Sequence, residues 1–461
     1  VSLSTTENGP KAALHGGLPQ PQRFYAFVTL GAAVMLSVLD ASMMNVALPS
    51  IAAAQGVTPS TAIWVVTAFQ LAVVACLLPM ASLAEAIGFR KIYFAGVALV
   101  GAASLFCAMA DSIATLIAAR IVQGIGAGAI MSINGAMVRH IVPADGIGRG
   151  IATISLVVGI SAAAGPTVAG AILSVASWHW LFLVNVPICM GILLSGALTL
   201  PRIAGRGNRF DIVSAVLNAL AFGLAIYGLS GFGRGGSVVL STIELGAAAI
   251  AFAALVRRQR LMTSPLLPTD LLAHRPFALS ISASITSFAA QFLALVSLPF
   301  YLHDVLGRSP AETGLLLTPW PIAVAALAPI AGRLADRPYR AIQSAAGMGL
   351  VALGLLLIAA LPAAPSNADI MWRLALCGAG FSLFQAPNSR TIMTSAPLDR
   401  SGGASGMMSV ARVFGQSCGA ALAASLIAIL GGFQIVPLMV VAAAFALCAA
   451  ALGGLRNANV F

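Results

Sequence analysis

Apolar residues run through this chain in long blocks, and polar residues are confined to short gaps between them. A helix that crosses the hydrocarbon core of a bilayer takes about 20 such residues. By that measure the pattern predicts about 14 spans. They fall at 24–49, 61–83, 91–110, 112–138, 150–174, 178–200, 211–231, 237–256, 277–302, 311–335, 341–362, 370–394, 404–430 and 433–455. The organisation that follows is a polar tail over 1–22, a six-helix bundle over 23–203 and two extra membrane helices over 204–260. A second six-helix bundle covers 261–455 and a tail covers 456–461. The expected fold class is an all-α polytopic membrane protein. The first apolar block is too long for the core of a secretory signal, so no cleaved leader is expected.

Charge in the gaps alternates. One set of loops holds Arg90, Lys91, Arg139, Arg149, Arg202, Arg206, Arg209, Arg257, Arg258, Arg260, Arg275, Arg333, Arg337, Arg340, Arg390 and Arg400. The other holds Arg234, Arg308 and Arg373. The positive-inside rule places the first set and both termini in the cytoplasm. Composition agrees with a membrane chain: 59% of residues are hydrophobic and 8% charged, with mean hydropathy +0.98. A soluble domain carries about 25% charged residues. The net charge of +11 is explained by topology, so no nucleic-acid partner is expected. The six cysteines, Cys76, Cys107, Cys189, Cys377, Cys418 and Cys448, fall inside predicted spans without metal-ligand spacing and read as reduced core residues. No metal site is expected.

The two halves echo one another. Gly378, Gly380, Asn388, Pro397 and Gly419 lie 254 positions after Gly124, Gly126, Asn134, Pro143 and Gly165. The register pairs the fourth span with the twelfth and the fifth with the thirteenth. It therefore describes two six-helix bundles separated by two extra spans. Parallel six-helix repeats place a substrate site between the halves near mid-membrane. In the fifth span, Gly159-Ile-Ser-Ala-Ala-Ala-Gly165-Pro166-Thr-Val-Ala-Gly170 offers a small-residue face for close helix packing. Pro166 removes a backbone donor and bends the helix, as expected where helices line a cavity.

These stretches together resemble the major facilitator superfamily, and within it the 14-span drug:proton antiporters. Leu39-Asp40-Ala-Ser42-Met-Met-Asn45-Val-Ala-Leu-Pro49 is similar to the family's first-helix motif. Ala81-Ser-Leu83-Ala-Glu85-Ala-Ile-Gly88-Phe-Arg90-Lys91 resembles the loop motif between helices two and three, with Glu85 in place of the usual aspartate. Gly332-Arg333-Leu334-Ala335-Asp336-Arg337 is its second-half copy. Arg120-Ile-Val-Gln123-Gly124-Ile-Gly126 resembles the fourth-helix motif, and Gly165, Pro166 and Gly170 the antiporter motif. Trp180 through Asn185 and Pro187, and Gly403 through Arg412 and Gly415, are similar to further family signatures. The resemblance implies a major facilitator fold, a contact between Arg120 and the first-helix carboxylate, and a cytoplasmic gate of Glu85, Gly88, Arg90, Gly332, Asp336 and Arg337. Those gate charges otherwise read as solvated topogenic residues.

Ionisable residues inside spans are functional candidates, and four stand out: Asp40, Arg120, Glu244 and Arg412. Asp40 is expected to carry the coupled proton, with Ser42 and Asn45 within hydrogen-bonding reach. A packing carboxylate is the plainer reading. A fixed guanidinium at Arg120 favours the charged form of Asp40, and its withdrawal favours protonation. Glu244 either faces a cavity or sits as a neutral carboxylic acid at the lipid edge. Arg412 either binds an anionic group or pairs with Asn388 or Gln416. Candidate substrate contacts are Ser42, Asn45, Phe69, Gln70, Gln123, Asn134, Phe288, Gln291, Trp320, Phe381, Gln385, Asn388 and Arg412. Met43, Met44, Met131 and Met407 offer adaptable surface. Trp64 and Trp178 read as interface anchors.

No nucleotide-binding loop and no catalytic constellation is present. The expectation is a transporter, not an enzyme, with no cofactor and an ion gradient as energy source. The resemblance implies a monomeric proton-coupled exporter in a bacterial inner membrane. Its expected partners are protons, the lipid bilayer and hydrophobic, often cationic small molecules. The alternative is an exporter of neutral or weakly acidic metabolites or lipids, favoured by the scarcity of acidic residues in the spans.

Overall fold

The computed structural model describes residues 17–143, 146–203, 205, 207, 210–232, 238–262, 267–335, 339–397 and 400–457. Among them every regular element is helical. The long helices are α1 Gln22–Gln55, α2 Pro59–Ile87, α3 Phe89–Ala108, α4 Ile113–Ile141, α5 Ile147–Val175, α6 Trp180–Thr199 and α7 Ile212–Gly231. They continue as α8 Val238–Gln259, α9 Arg275–Val305, α10 Pro310–Ala335, α11 Arg340–Ala359, α12 Asn367–Thr394, α13 Ser401–Ile429 and α14 Ile435–Gly454. Thirteen of them are long and apolar enough to cross a membrane. The exception is α12, expected as span 370–394. Its 28 residues reach about 42 Å at 1.5 Å per residue, ample for the core. However, Asp369, Arg373, Gln385, Asn388 and Arg390 make it less apolar than the rest. It packs between α10 and α11, which buries Asn388 and half-buries Arg373 and Gln385, while Arg390 stays exposed near the termini-face end.

Within the first half, α4 packs on α2 and α3, and α1 on α5 and α6. Within the second, α12 packs on α10 and α11, α9 on α13 and α14, and α11 on α14. Glycine sets the closest approaches, in matching places. A Cβ added at Gly124 would stand 2.5 Å from the Phe69 carbonyl oxygen, and one at Gly378 would stand 2.2 Å from that of Trp320. Gly96 and Gly126 meet across α3 and α4 as Gly347 and Gly380 meet across α11 and α12, each too close for a side chain. The sequence repeat is thus a repeat of backbone contacts.

The face on which both described chain ends lie is the termini face. The starts of α1, α9 and α13 and the ends of α4, α6 and α14 lie there. At the far face, α5 packs tightly on the first turns of α10, while its contact with the later part of α10 is slight. Near the termini face Leu156, Ile160, Ile322 and Ile330 are all exposed, and a Cβ at Gly159 would meet nothing within 4 Å. The two helices part toward the termini face.

The hairpin α7–α8 lies outside the seam between bundles. Asn218 of α7 donates to the Ala75 carbonyl of α2 (2.9 Å), and Ser425 of α13 donates to the Leu229 carbonyl of α7 (2.9 Å). Phe222 of α7 meets Phe414 of α13 edge-on at 5.0 Å. Helix α8 packs on α7, and Glu244 lies there with its Cβ side against Gly228. That placement removes Glu244 from the cavity between the bundles. The hairpin is clamped at the termini face by Asp211, which accepts from Arg258 at 3.1 and 3.2 Å and from Ser214.

Candidate proton and substrate sites

Asp40 sits in the middle of α1 and is 2% exposed. Arg120 of α4 is fully buried, and its Nη1 donates to Asp40 Oδ2 at 2.6 Å. Two amides aim at the other oxygen: Asn185 Nδ2 of α6 at 2.8 Å and Gln123 Nε2 of α4 at 3.2 Å. Arg120 Nη1 also donates to Gln123 Oε1 at 2.5 Å, and its Nε donates to the Val65 carbonyl at 3.3 Å. Gln123 Nε2 reaches Ser104 Oγ of α3 at 2.8 Å. The guanidinium lies over the Phe69 ring at 4.1 Å and near that of Phe182 at 5.7 Å. Five helices therefore close around one ion pair. Every neighbour of the carboxylate is a donor, so the cage is complementary to the charged acid.

Of the residues singled out from the sequence, Asp40, Arg120, Gln123 and Phe69 come together here. Ser42 and Asn45 do not join them. Ser42 donates to the Ala162 carbonyl of α5 at 3.0 Å, because successive residues of a helix point 100° apart. Asn45 is buried with its Oδ1 unpartnered. Asn185 and Ser104 complete the cage and were not expected in it. Met43 and Met44 are fully buried in the core and offer no adaptable surface. Trp178 is likewise buried, against His179 and Phe182, while its neighbour Trp180 is exposed.

In the second half, Phe288 of α9 and Phe381 of α12 meet edge-on at 5.4 Å. Gln291 and Gln385, on the same two helices, are half-buried. Gln70 of α2 is buried, and Asn134 of α4 has a buried Oδ1 without a partner. Trp320 is 1% exposed and wedged against α12, which makes it a packing residue. Asn388 is also withdrawn from any cavity. It donates to Ser284 Oγ (2.7 Å) and the Ser280 carbonyl (3.2 Å), and accepts from Arg456 at 2.9 Å. Arg456, not Arg412, is thus its cationic partner. Arg412 lies half-buried in the middle of α13.

The small residues of α5 work as a seam. A Cβ at Gly165 would fall 2.4 Å from the Ser42 side chain, one at Gly170 2.9 Å from the Pro310 carbonyl, and one at Gly314 2.2 Å from the Pro166 carbonyl. Thr167 and Thr318 share a hydroxyl hydrogen bond of 2.7 Å across it. On the termini face, Gly88 ends α2 at φ 112, which glycine alone adopts easily. Arg90 donates to the Ala197 carbonyl at 2.7 Å, within its own half. Glu85 is exposed, and a Cβ at Gly332 would meet nothing within 4 Å. Asp336 and Arg337 lie outside the described residues. Among the described residues these positions form no latch between halves.

The sequence model of the Major Facilitator Superfamily matches residues 30–420 and 280–457. The chain is 49% identical over 442 residues to "Uncharacterized transporter YebQ" of Escherichia coli K12, covering 95% of this chain and 97% of that one. It is 31% identical over 404 residues to "Multidrug resistance protein Stp" of Mycobacterium tuberculosis, covering 87% and 75%. In structure it resembles a peptide transporter of the POT family solved with sulfate, at TM-score 0.72, 16% identity and 97% coverage of both chains. The bundles, their glycine contacts and these likenesses agree: the chain belongs to the major facilitator superfamily and is a multi-pass membrane transporter.

Proposed function

We propose that this transporter is a proton-driven exporter of hydrophobic small molecules, a multidrug efflux antiporter working by alternating access. The observation that carries the reading is the Asp40–Arg120 pair, sealed inside the first bundle with donors on every side. A proton on Asp40 turns an acceptor into a donor facing Arg120, Gln123 and Asn185. The cage then has to repack, and the repacking of α1 against α4 and α6 is the step that ties proton uptake to helix movement. Release of the proton restores the pair. The arginine-rich loops support a cytoplasmic termini face in a bacterial inner membrane. The parting of α5 and α10 toward that face is then an inward-facing arrangement, the one that takes cargo from the cell. We infer a monomer, as each chain holds both bundles.

The relative named as a multidrug resistance protein supports drug-like cargo. The second reading, an exporter of weakly acidic compounds, is favoured by a charge imbalance at Arg412 taken up below. The test is transport in proteoliposomes under an imposed pH gradient, with a panel of hydrophobic cations, neutral compounds and acids. Uphill accumulation that stops when the gradient is collapsed is the expected result. Downhill equilibration that ignores the gradient contradicts it.

A further inference from the structure

We propose that the cargo is an amphipathic organic anion, an aromatic carboxylate or sulfonate whose acidic group docks on Arg412 between the two bundles. The proposal rests on the export reading above and specifies its cargo.

Arg412 has no hydrogen bond, ion pair or ring contact among the described residues. A guanidinium does not give up its proton, and a lone charge at membrane depth is costly. Among the described residues no carboxylate is placed to balance it. Asp40 is committed to Arg120. Glu244 belongs to the outer hairpin. Asp304, Glu312 and Asp369 lie at far-face helix ends, and Glu85 at a termini-face end. Among the described residues the interior therefore carries an uncompensated positive charge.

The direction of Arg412 follows from its helix. Three sides of α13 are occupied. Gly415 and Gly419 press on α9, where added Cβ atoms would stand 2.5 and 2.4 Å from the Ile285 and Ala289 carbonyls. Phe414 meets Phe222 of α7, and Gly406 faces Leu78 of α2. At about 100° per residue, Ser405, Ser409, Arg412 and Gln416 share the remaining side, opposite α7. Since α7 lies outside the seam, that side looks inward. All four are half-buried, as a polar stripe lining an aqueous cavity is.

Helix α2 repeats the pattern. It gives Phe69 and Val73 to α4, Ala75 to α7 and Leu78 to α13, which leaves Gln70 inward. Because α2 and α13 run antiparallel with Leu78 beside Gly406, Gln70 stands level with Phe414, between Arg412 and Gln416. Phe288 is within a turn of the same level, its Cβ 2.9 Å from where a Gly415 Cβ would be, and its ring meets Phe381. One fixed cation, unbonded amides and an aromatic pair suit an aromatic acid. Guanidinium takes a carboxylate or sulfonate through paired hydrogen bonds, and the rings take the apolar body. A quaternary ammonium cargo meets like charge there.

The test is equilibrium binding to the purified full chain in nanodiscs, with 2-naphthoate, 2-naphthamide and 2-naphthyl-trimethylammonium as matched probes. Naphthoate is expected to bind at least about tenfold tighter than either other probe. Arg412→Gln is expected to erase that preference while its melting point in nanodiscs does not fall below that of wild type, which shows an intact fold, and Arg412→Lys to keep part of it. Equal or tighter binding of the amide or the ammonium probe by wild type overturns the proposal, as does a preference that survives Arg412→Gln. Binding needs no gradient, so loss of proton coupling with the naphthoate preference intact strikes the antiport reading alone.

Discussion

At the residue scale, the buried carboxylate of Asp40 is held by partners that are all donors. Arg120→Gln leaves Asp40 buried without its counter-ion, a change that costs about 3–5 kcal/mol. Asn185→Ala deletes one hydrogen bond to a charged group, worth about 1.5–3 kcal/mol. Thermal melting in nanodiscs is expected to fall in that order, and a melting point unchanged by Arg120→Gln contradicts the cage. A second charge cluster gives a pH signature. Partial burial pushes the Asp211 carboxyl upward, but hydrogen bonds from Arg258 and Ser214 and the Arg258 charge outweigh it, so its pKa lies below the usual range. A lowered carboxylate pKa stabilises the fold above the ordinary value and loses that effect as pH falls through the folded one. Asp211→Asn is therefore expected to lower the melting point slightly at pH 7, with the difference from wild type vanishing in acid. A difference that grows in acid contradicts the sign. Asp40 and Arg120 were legible because a charge inside a span is rare, though their contact came from the family resemblance. Asn185 stood in a family signature, but nothing in the sequence set that uncharged amide, 145 positions on, beside Asp40. Arg456 escaped because it sits just beyond the last span, where an arginine reads as topogenic.

At the element scale, the small residues of α5 act through what they touch. Gly165 and Pro166 announced a close-packed face, but the sequence did not name its partner. Gly314 and Thr318 lie about 150 positions on, and nothing local links them to α5. Gly314→Val places carbon atoms where the Pro166 carbonyl already stands. Overpacking of about 1–3 kcal/mol is expected to force α5 and α10 apart at the far face. With a reporter substitution Ser42→Cys beneath the seam, labelling by an impermeant maleimide from the far face is expected to rise about tenfold or more. Unchanged labelling contradicts the seam's role as the closed gate. Helix α12 shows a different limit. Its polar residues depress its apolarity, so the length of the apolar run over 370–394 marks it as a span where its mean hydropathy does not.

At the scale of the whole molecule, two bundles share backbone contacts but not chemistry. Gly124 and Gly378 repeat the same approach, whereas Leu374, 254 positions after Arg120, is a buried aliphatic residue. The ion pair sits in one bundle and the unbalanced Arg412 in the other. In the proposed mechanism the proton belongs to the first bundle and the cargo to the space between the two, and a rocking motion would link them. The outward hairpin of α7 and α8 touches both bundles through α2 and α13 and carries neither group. The most direct test of this account is proton release from energised inverted vesicles on addition of transported cargo, comparing wild type with Asp40→Asn. Cargo-induced collapse of the pH gradient in wild type, absent in a folded Asp40→Asn variant, is the expected result. Collapse that persists undiminished in the variant places the proton elsewhere and contradicts the account.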